Sequence, residues 1–313
     1  MKNFSKLIKL TLIVVTSTIM FSCSEDDSNN NGNTIEAIAS NNPDLSILVD
    51  ALDATGMSLD RNGSFTVFAP TNDAFVQFLN DNNFESLDDI PVETLRQVLL
   101  NHIVTGTNLS TDLSTGYIKT LAKGNASSTN TLSMYVNTTS GVRLNGVANV
   151  TAADINASNG VVHVVDAVIG LPTIVTHALA NPNFTSLVGA LTSSGQPDFV
   201  GILSGNTNAP FTVFAPSNSA FSTFESQNPG TLSSLSAGQL TSVLTYHVVP
   251  GANVLSSGIP STPITTFESG TFTISGTVIT DENNRETNIV AVDVQATNGV
   301  IHVIDNIILP IFE

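Results

Sequence analysis

The chain has 313 residues, enough for about two domains, with 41% hydrophobic and only 11% charged residues and a formal net charge of −17. Acid in such excess repels phosphate backbones and excludes a nucleic-acid partner. A single cysteine excludes a disulfide framework, and the composition is that of a globular protein.

Lys2, Lys6 and Lys9 precede an apolar run from Leu10 to Phe21, which is too short to span a bilayer as a helix. Residues 1–22 therefore read as a secretory signal peptide. Cys23 follows directly, after the small residue Ser22. The arrangement resembles the lipobox of bacterial lipoproteins, with Met20 and Phe21 departing from the usual residues. It implies a lipidated Cys23 as the mature N-terminus and a membrane anchor; a lone thiol inside an ordinary cleavable signal is the plainer alternative. The acidic run from Ser24 to Asp27 is similar to the export signal of Bacteroidetes surface lipoproteins. Residues 23–33 then form an acidic flexible tether, and the expected location is the outer membrane, facing outward.

From residue 34 the pattern becomes that of a folded domain. Asn42 suits a helix N-cap and Pro43 the first turn, where a missing N–H costs nothing. Leu45, Leu48, Val49 and Leu52 follow at helical spacing, and Gly56 supplies the stop. Phe65 to Pro70 predicts a short strand, after which Thr71 caps a helix carrying Ala74, Phe75, Phe78 and Leu79. Pro91 opens another, with Leu95, Val98 and Leu99 facing inward. Beyond His102 come short β-prone runs, Leu132 to Val136 and Val142 to Leu144, separated by Gly and Asn. Val161 to Ile169 is almost continuously apolar, as expected of a central strand covered on both faces. Helices first and strands afterwards predict an α+β domain.

The whole series then recurs. FTVFAPTNDAF at Phe65 to Phe75 returns as FTVFAPSNSAF at Phe211 to Phe221, and NGVVHVVDAVIGLP at Asn159 to Pro172 returns as NGVIHVIDNIILP at Asn298 to Pro310. The repeat is far longer than the ~20 to 50 residues of a solenoid unit, so it marks a duplicated globular domain. The predicted domains are 34–172 and 173–313, each expected to fold alone. Several extra residues around Gln196 to Pro210 in the second copy read as a loop insertion. The two blocks resemble the signature blocks of fasciclin domains, with Asn101-His102 or Tyr246-His247 ending the helix between them. The resemblance implies two tandem fasciclin-like domains, each a β-sandwich wedge with several flanking α-helices, and a role in extracellular adhesion or matrix association.

In animal fasciclin-domain proteins an Asp-Ile pair and a Tyr-His pair are implicated in integrin binding. Asp154-Ile155 and Tyr246-His247 match them, whereas Asp293-Val294 and Asn101-His102 depart. These residues also fit a plainer role, with Asp154 and Asp293 capping a turn and Ile155 and Val294 packing beneath it. His102, His163, His247 and His302 recur in both copies; His102 and His247 fall on apolar helical stripes, which suits buried neutral imidazoles. A zinc site lacks its cysteines and a close cluster of ligands. His163 with Asp166, and His302 with Asp305, suggest part of a catalytic triad, but a spacing of three along a strand sets the side chains on opposite faces. Asp281 to Glu286 reads as a solvated hairpin turn lacking the alternation of a calcium loop.

Three classes of function follow. The first is a non-enzymatic surface adhesion lipoprotein, without cofactor or metal, whose partner is an extracellular protein or polysaccharide. The second is a carbohydrate- or small-ligand-binding module, for which the absence of Trp leaves few stacking surfaces. The third is a hydrolase, disfavoured because neither a nucleophile elbow nor a phosphate-binding loop is present.

Overall fold

The computed structural model describes residues 33–59 and 62–312. Cys23, the signal segment and the tether up to residue 32 lie outside the described residues. Among the described residues no helix is long and apolar enough to cross a membrane.

Among the described residues the β-branched and aromatic runs form fourteen strands. In the first copy these are β1 (Phe65–Pro70), β2 (Ile103–Thr105), β3 (Gly116–Gly124), β4 (Ser127–Asn137), β5 (Arg143–Leu144), β6 (Ala148–Ala157) and β7 (Gly160–Val165). The second copy supplies β8 (Phe211–Pro216), β9 (Val248–Pro250), β10 (Ile264–Thr265), β11 (Thr271–Ser275), β12 (Val278–Thr280), β13 (Glu286–Ala296) and β14 (Gly299–Ile304). Each copy makes one seven-stranded sheet, ordered β2-β1-β7-β6-β5-β4-β3 in the first and β9-β8-β14-β13-β12-β11-β10 in the second. The duplication thus preserves strand order as well as sequence, and the fold is α+β in both copies.

The two signature blocks are neighbours in space. β1 lies parallel to β7 with Phe65 opposite Gly160 and Phe68 opposite His163, and β8 lies parallel to β14 with Phe211 opposite Gly299 and Phe214 opposite His302. Period-2 alternation gives this central pair two buried faces. Val67, Ala69, Val162 and Val164 pack against helix residues such as Leu48, Phe75, Leu95 and Leu99. Phe68 and Val165 turn the other way, onto Met134, Val136 and Leu144 of β4 and β5, which closes the sandwich. Phe214 and Ile304 do the same against Phe272, Ile274 and Ile279. β6 and β13 carry register shifts against their neighbours, and the bulges let one long strand serve both layers.

Local chemistry explains the helix starts. Thr34, Thr71 and Ser217 each accept from the N–H three residues on, satisfying a donor that the first helical turn cannot bond internally. Asn42 and Asn181 cap short 3-10 turns, Pro43–Leu45 and Pro182–Phe184, that lead into Ser46–Thr55 and Thr185–Leu191. Gly56 ends the first of these helices in the left-handed region, φ +60°. The second copy does not repeat that stop, because its helix ends at Leu191, before Gly195. Nor is the insertion only a loop: Phe199–Ser204 is a helix started by Asp198, and Phe199 and Leu203 are buried in the second core.

The two domains meet along β3, β4 and β13. Lys119 Nζ donates to the Asp293 carbonyl (2.8 Å) and to Ser133 Oγ (3.0 Å), and the Gln295 N–H donates to the same Ser133 oxygen (3.0 Å). The Ala126 N–H donates to the Thr297 carbonyl, and the Thr297 N–H to the Pro172 carbonyl, both at 2.8 Å. His177 has no exposed surface and meets the Tyr117 ring edge-on at 5.4 Å. These bonds cross the junction between 34–172 and 173–313.

The parallel pairing demands close approach. Gly160, φ +144°, stands so near the Phe65 backbone that a Cβ would overlap the carbonyl oxygen, and Gly299 is in the same relation to Phe211. Gly160→Ala and Gly299→Ala should each cost about 3 kcal/mol or more through forced separation of the strands. Thermal unfolding checks this, with Gly258→Ala, where a Cβ meets nothing within 4 Å, as the neutral control.

Candidate functional site

Asp154 and Asp293 sit in the bulges of β6 and β13 in the left-handed region, φ +62° and +61°. That conformation suits Asp better than most side chains. The Asp154 carboxylate accepts from the Ser110 N–H (2.7 Å) and Ser110 Oγ (2.6 Å), and Asp293 accepts from the Ser256 N–H (2.8 Å) and Ser256 Oγ (2.6 Å). The Ser110 hydroxyl and amide hold the Asp154 carboxyl below its usual range. Both aspartates therefore tie a distant loop to the bulge. Ile155 packs against the first helix-side core, and Val294, 3% exposed, lies within the second.

The same bulges hold the strand histidines. The Asp154 N–H donates to His163 Nδ1 (3.2 Å), and His163 Nε2 donates to the Asn108 carbonyl (2.9 Å). An accepting Nδ1 and a donating Nε2 describe a neutral ring with its proton on Nε2. The imidazole also stacks on Phe68, centroids 5.5 Å apart, as the parallel register places it. His302 repeats the arrangement, with the Asp293 N–H 3.5 Å from Nδ1, Nε2 donating to the Val254 carbonyl (2.9 Å), and Phe214 stacked at 5.4 Å. Burial lowers the His302 pKa.

His102 and His247 use the opposite tautomer. Each follows the last residue of a helix, Val92–Asn101 or Ala237–Tyr246, and donates from Nδ1 to a carbonyl of the preceding turn, Val98 (2.8 Å) or Val243 (2.7 Å). Nε2 then accepts the N–H of Ile169 (2.9 Å) or Ile308 (3.3 Å). A helix end is so joined to the segment after the last strand. Tyr246 has no exposed surface; its hydroxyl donates to the Thr271 carbonyl (2.6 Å) and accepts from the Glu282 N–H (3.3 Å). Asn101 stands there in the first copy, equally buried, and donates to the Ile169 and Gly170 carbonyls. In this fold Tyr246 and His247, 0% and 4% exposed, offer almost no surface to a partner.

The carboxylates three residues beyond the strand histidines point elsewhere. Asp166 binds the backbone and side-chain amides of Asn149, and Asp305 those of Asn288. The acidic turn is not solvated throughout. Asp281 is 4% exposed and accepts from the N–H groups of Asn283, Arg285 and Leu309, while Glu282 accepts from those of Thr271 and Ile311. Unpaired backbone donors at the end of the chain's last segment, invisible to a local pattern, account for the inward turn. Among the described residues no three His, Cys, Asp or Glu side chains gather as a metal set.

Burial lowers the pKa of His102 and His247 from the ordinary 6.5 to about 4. Between those values the unfolded chain binds protons that the folded chain refuses. Their contribution is thus complete above pH 6.5 and is lost as pH falls toward 4, on the order of 3 kcal/mol for each ring. Melting curves across that window should show the loss, and it should shrink in His102→Gln and His247→Gln, which start from lower stability at neutral pH. A pH-independent melting temperature from 7 to 4.5 would contradict it.

A model of the fasciclin domain matches residues 43–172 and 182–310. Protein sll1483 of Synechocystis is 39% identical over 144 residues, spanning 44% of this chain and 73% of that protein. Human periostin is 29% identical over 263 residues, covering 80% of this chain but only 29% of periostin's own length. The solved fasciclin I domain pair, from an insect cell adhesion molecule, covers 86% of this chain and 92% of its own at 23% identity and a TM-score of 0.48. Two family matches, each spanning both signature blocks and the strands between them, show that the chain belongs to the fasciclin-domain family as a tandem pair.

Proposed function

We propose that the protein is a non-enzymatic adhesion or matrix-association protein of the cell surface. One observation carries this reading: a whole fasciclin domain is duplicated, and its signature His and Asp side chains are bound in both copies to the chain's own backbone. Groups held in this way are scaffolding, which leaves surfaces as the working parts. Adhesion or matrix association is the role that fasciclin domains imply. Tandem domains on many anchored copies multiply weak contacts, since a second engagement is favoured by high local concentration.

The finer parts of the proposal come from the sequence. Cys23 is lipidated and anchors the protein to the outer membrane, the tether holds the domains outward, and the partner is an extracellular protein or polysaccharide. The acidic charge argues against nucleic acid.

A deletion strain should attach or aggregate less and recover with the parent gene but not with a Cys23→Ala form. Mass spectrometry of the native protein should find an acylated Cys23 at its N-terminus. Unchanged attachment on every surface, with a substrate turned over by the purified protein, would replace adhesion by catalysis.

A further inference from the structure

The junction between the domains leaves an open cleft of about 420 Å³. The first domain contributes Tyr117 from β3 and Tyr135 from β4; the second contributes Asn183 from its capping turn, Ser219 from the start of the helix Asn218–Gln227, and Val290 from β13. Neither domain alone contains it. Two of the chain's three tyrosines meet there, ring centroids 5.1 Å apart and planes tilted by 58°.

The chemistry of the lining is narrow. No residue that lines the cleft carries a charge, in a chain of net charge −17. The Tyr135 ring is largely buried, 3% of the residue being exposed, and its hydroxyl opens onto the cleft without a hydrogen-bond partner among the described residues. That hydroxyl is therefore free to bond a ligand that enters the cleft. The Tyr117 hydroxyl accepts from Asn181 Nδ2 (3.3 Å), and its own proton meets no acceptor among the described residues. Asn183 is exposed, and among the described residues only its backbone N–H is hydrogen-bonded, which leaves the side-chain amide free at the cleft. Val290, 58% exposed, adds an apolar surface beside these groups.

An anionic ligand would find no cation here and a repulsive overall charge. A basic peptide would find no carboxylate. A wholly apolar ligand would desolvate hydroxyls and an amide without returning hydrogen bonds. A ligand dense in hydroxyls, uncharged, and presenting small C–H faces satisfies all three conditions.

We propose that this inter-domain cleft binds a neutral oligosaccharide segment of an extracellular polysaccharide, with the Tyr135 hydroxyl and the Asn183 amide as its free hydrogen-bonding groups. The proposal rests on the adhesion reading and names the partner class for it. It also assigns the tandem arrangement a purpose, because the site exists only where the two domains meet.

The test titrates the full-length purified protein with neutral hexasaccharides (cello-, laminari-, manno- and xylohexaose) by calorimetry and by tyrosine fluorescence, which no Trp obscures. Oligogalacturonate is the charged counter-probe, and a mixed peptide pool is the protein-like one. At least one neutral hexasaccharide should bind and change the tyrosine emission. Tyr135→Phe and Asn183→Ala remove groups without protein partners, so each should weaken binding about tenfold with an unchanged melting temperature. No binding by any neutral hexasaccharide up to its solubility would overturn the proposal, as would equal affinity in both variants or binding of the peptide or charged probe alone. Attachment that is lost on gene deletion but unaffected by Tyr135→Phe would remove the cleft and leave the adhesion reading standing.

Discussion

Everything in each domain hangs on two parallel strands that lie far apart in sequence. β1 must find β7, and β8 must find β14, before either sandwich face or the helix layer has a surface to pack on. Parallel pairing cannot be made by a hairpin, so a long crossover must join the two strands. Glycine at 160 and 299 permits the approach; the asparagine before each glycine then accepts the first N–H of the domain's opening helix, Ile35 (2.9 Å) or Ile174 (3.0 Å). One short segment thereby sets the sheet and the start of the helical layer together.

The recurrent polar residues extend this constraint outward. His163 and His302 clamp a bulge to a loop, and His102 and His247 clamp a helix end to the exit of the last strand. All four rings are buried, and in the neutral form each nitrogen can bond backbone. The copies diverge where the scaffold allows. Asn101 and Tyr246 solve the same buried position with different side chains, and Asp73 at the start of one helix becomes Ser219 in the other. That second change lies at the inter-domain cleft and removes a charge from it.

Much of the fold was legible in the sequence because it is encoded locally or by repetition. Alternation in FTVFAP, caps at Thr71 and Ser217, and the apolar run of β7 each report a neighbourhood of a few residues. What escaped depends on distant partners. The helix at Phe199–Ser204 has only six residues and a Gly in its middle, and its reason for forming is the core that buries Phe199 and Leu203. Asp281 turns inward for the sake of Leu309, and Lys119 reaches the carbonyl of Asp293 in the other domain. The histidine positions could be named from the repeat, but not which backbone group each meets. Tyr117 and Tyr135 carried no signal, since a cleft between domains has no sequence period.

The central claim is that the signature histidines are neutral structural bridges and not working groups. Nitrogen-15 NMR of the histidine rings at pH 6 tests it most directly, because the two ring nitrogens are distinguished by their shifts. Neutral rings are predicted at His102 and His247, protonated on Nδ1, with ring protons slow to exchange. Imidazolium signals, or freely exchanging rings in a mixture of tautomers, would contradict it.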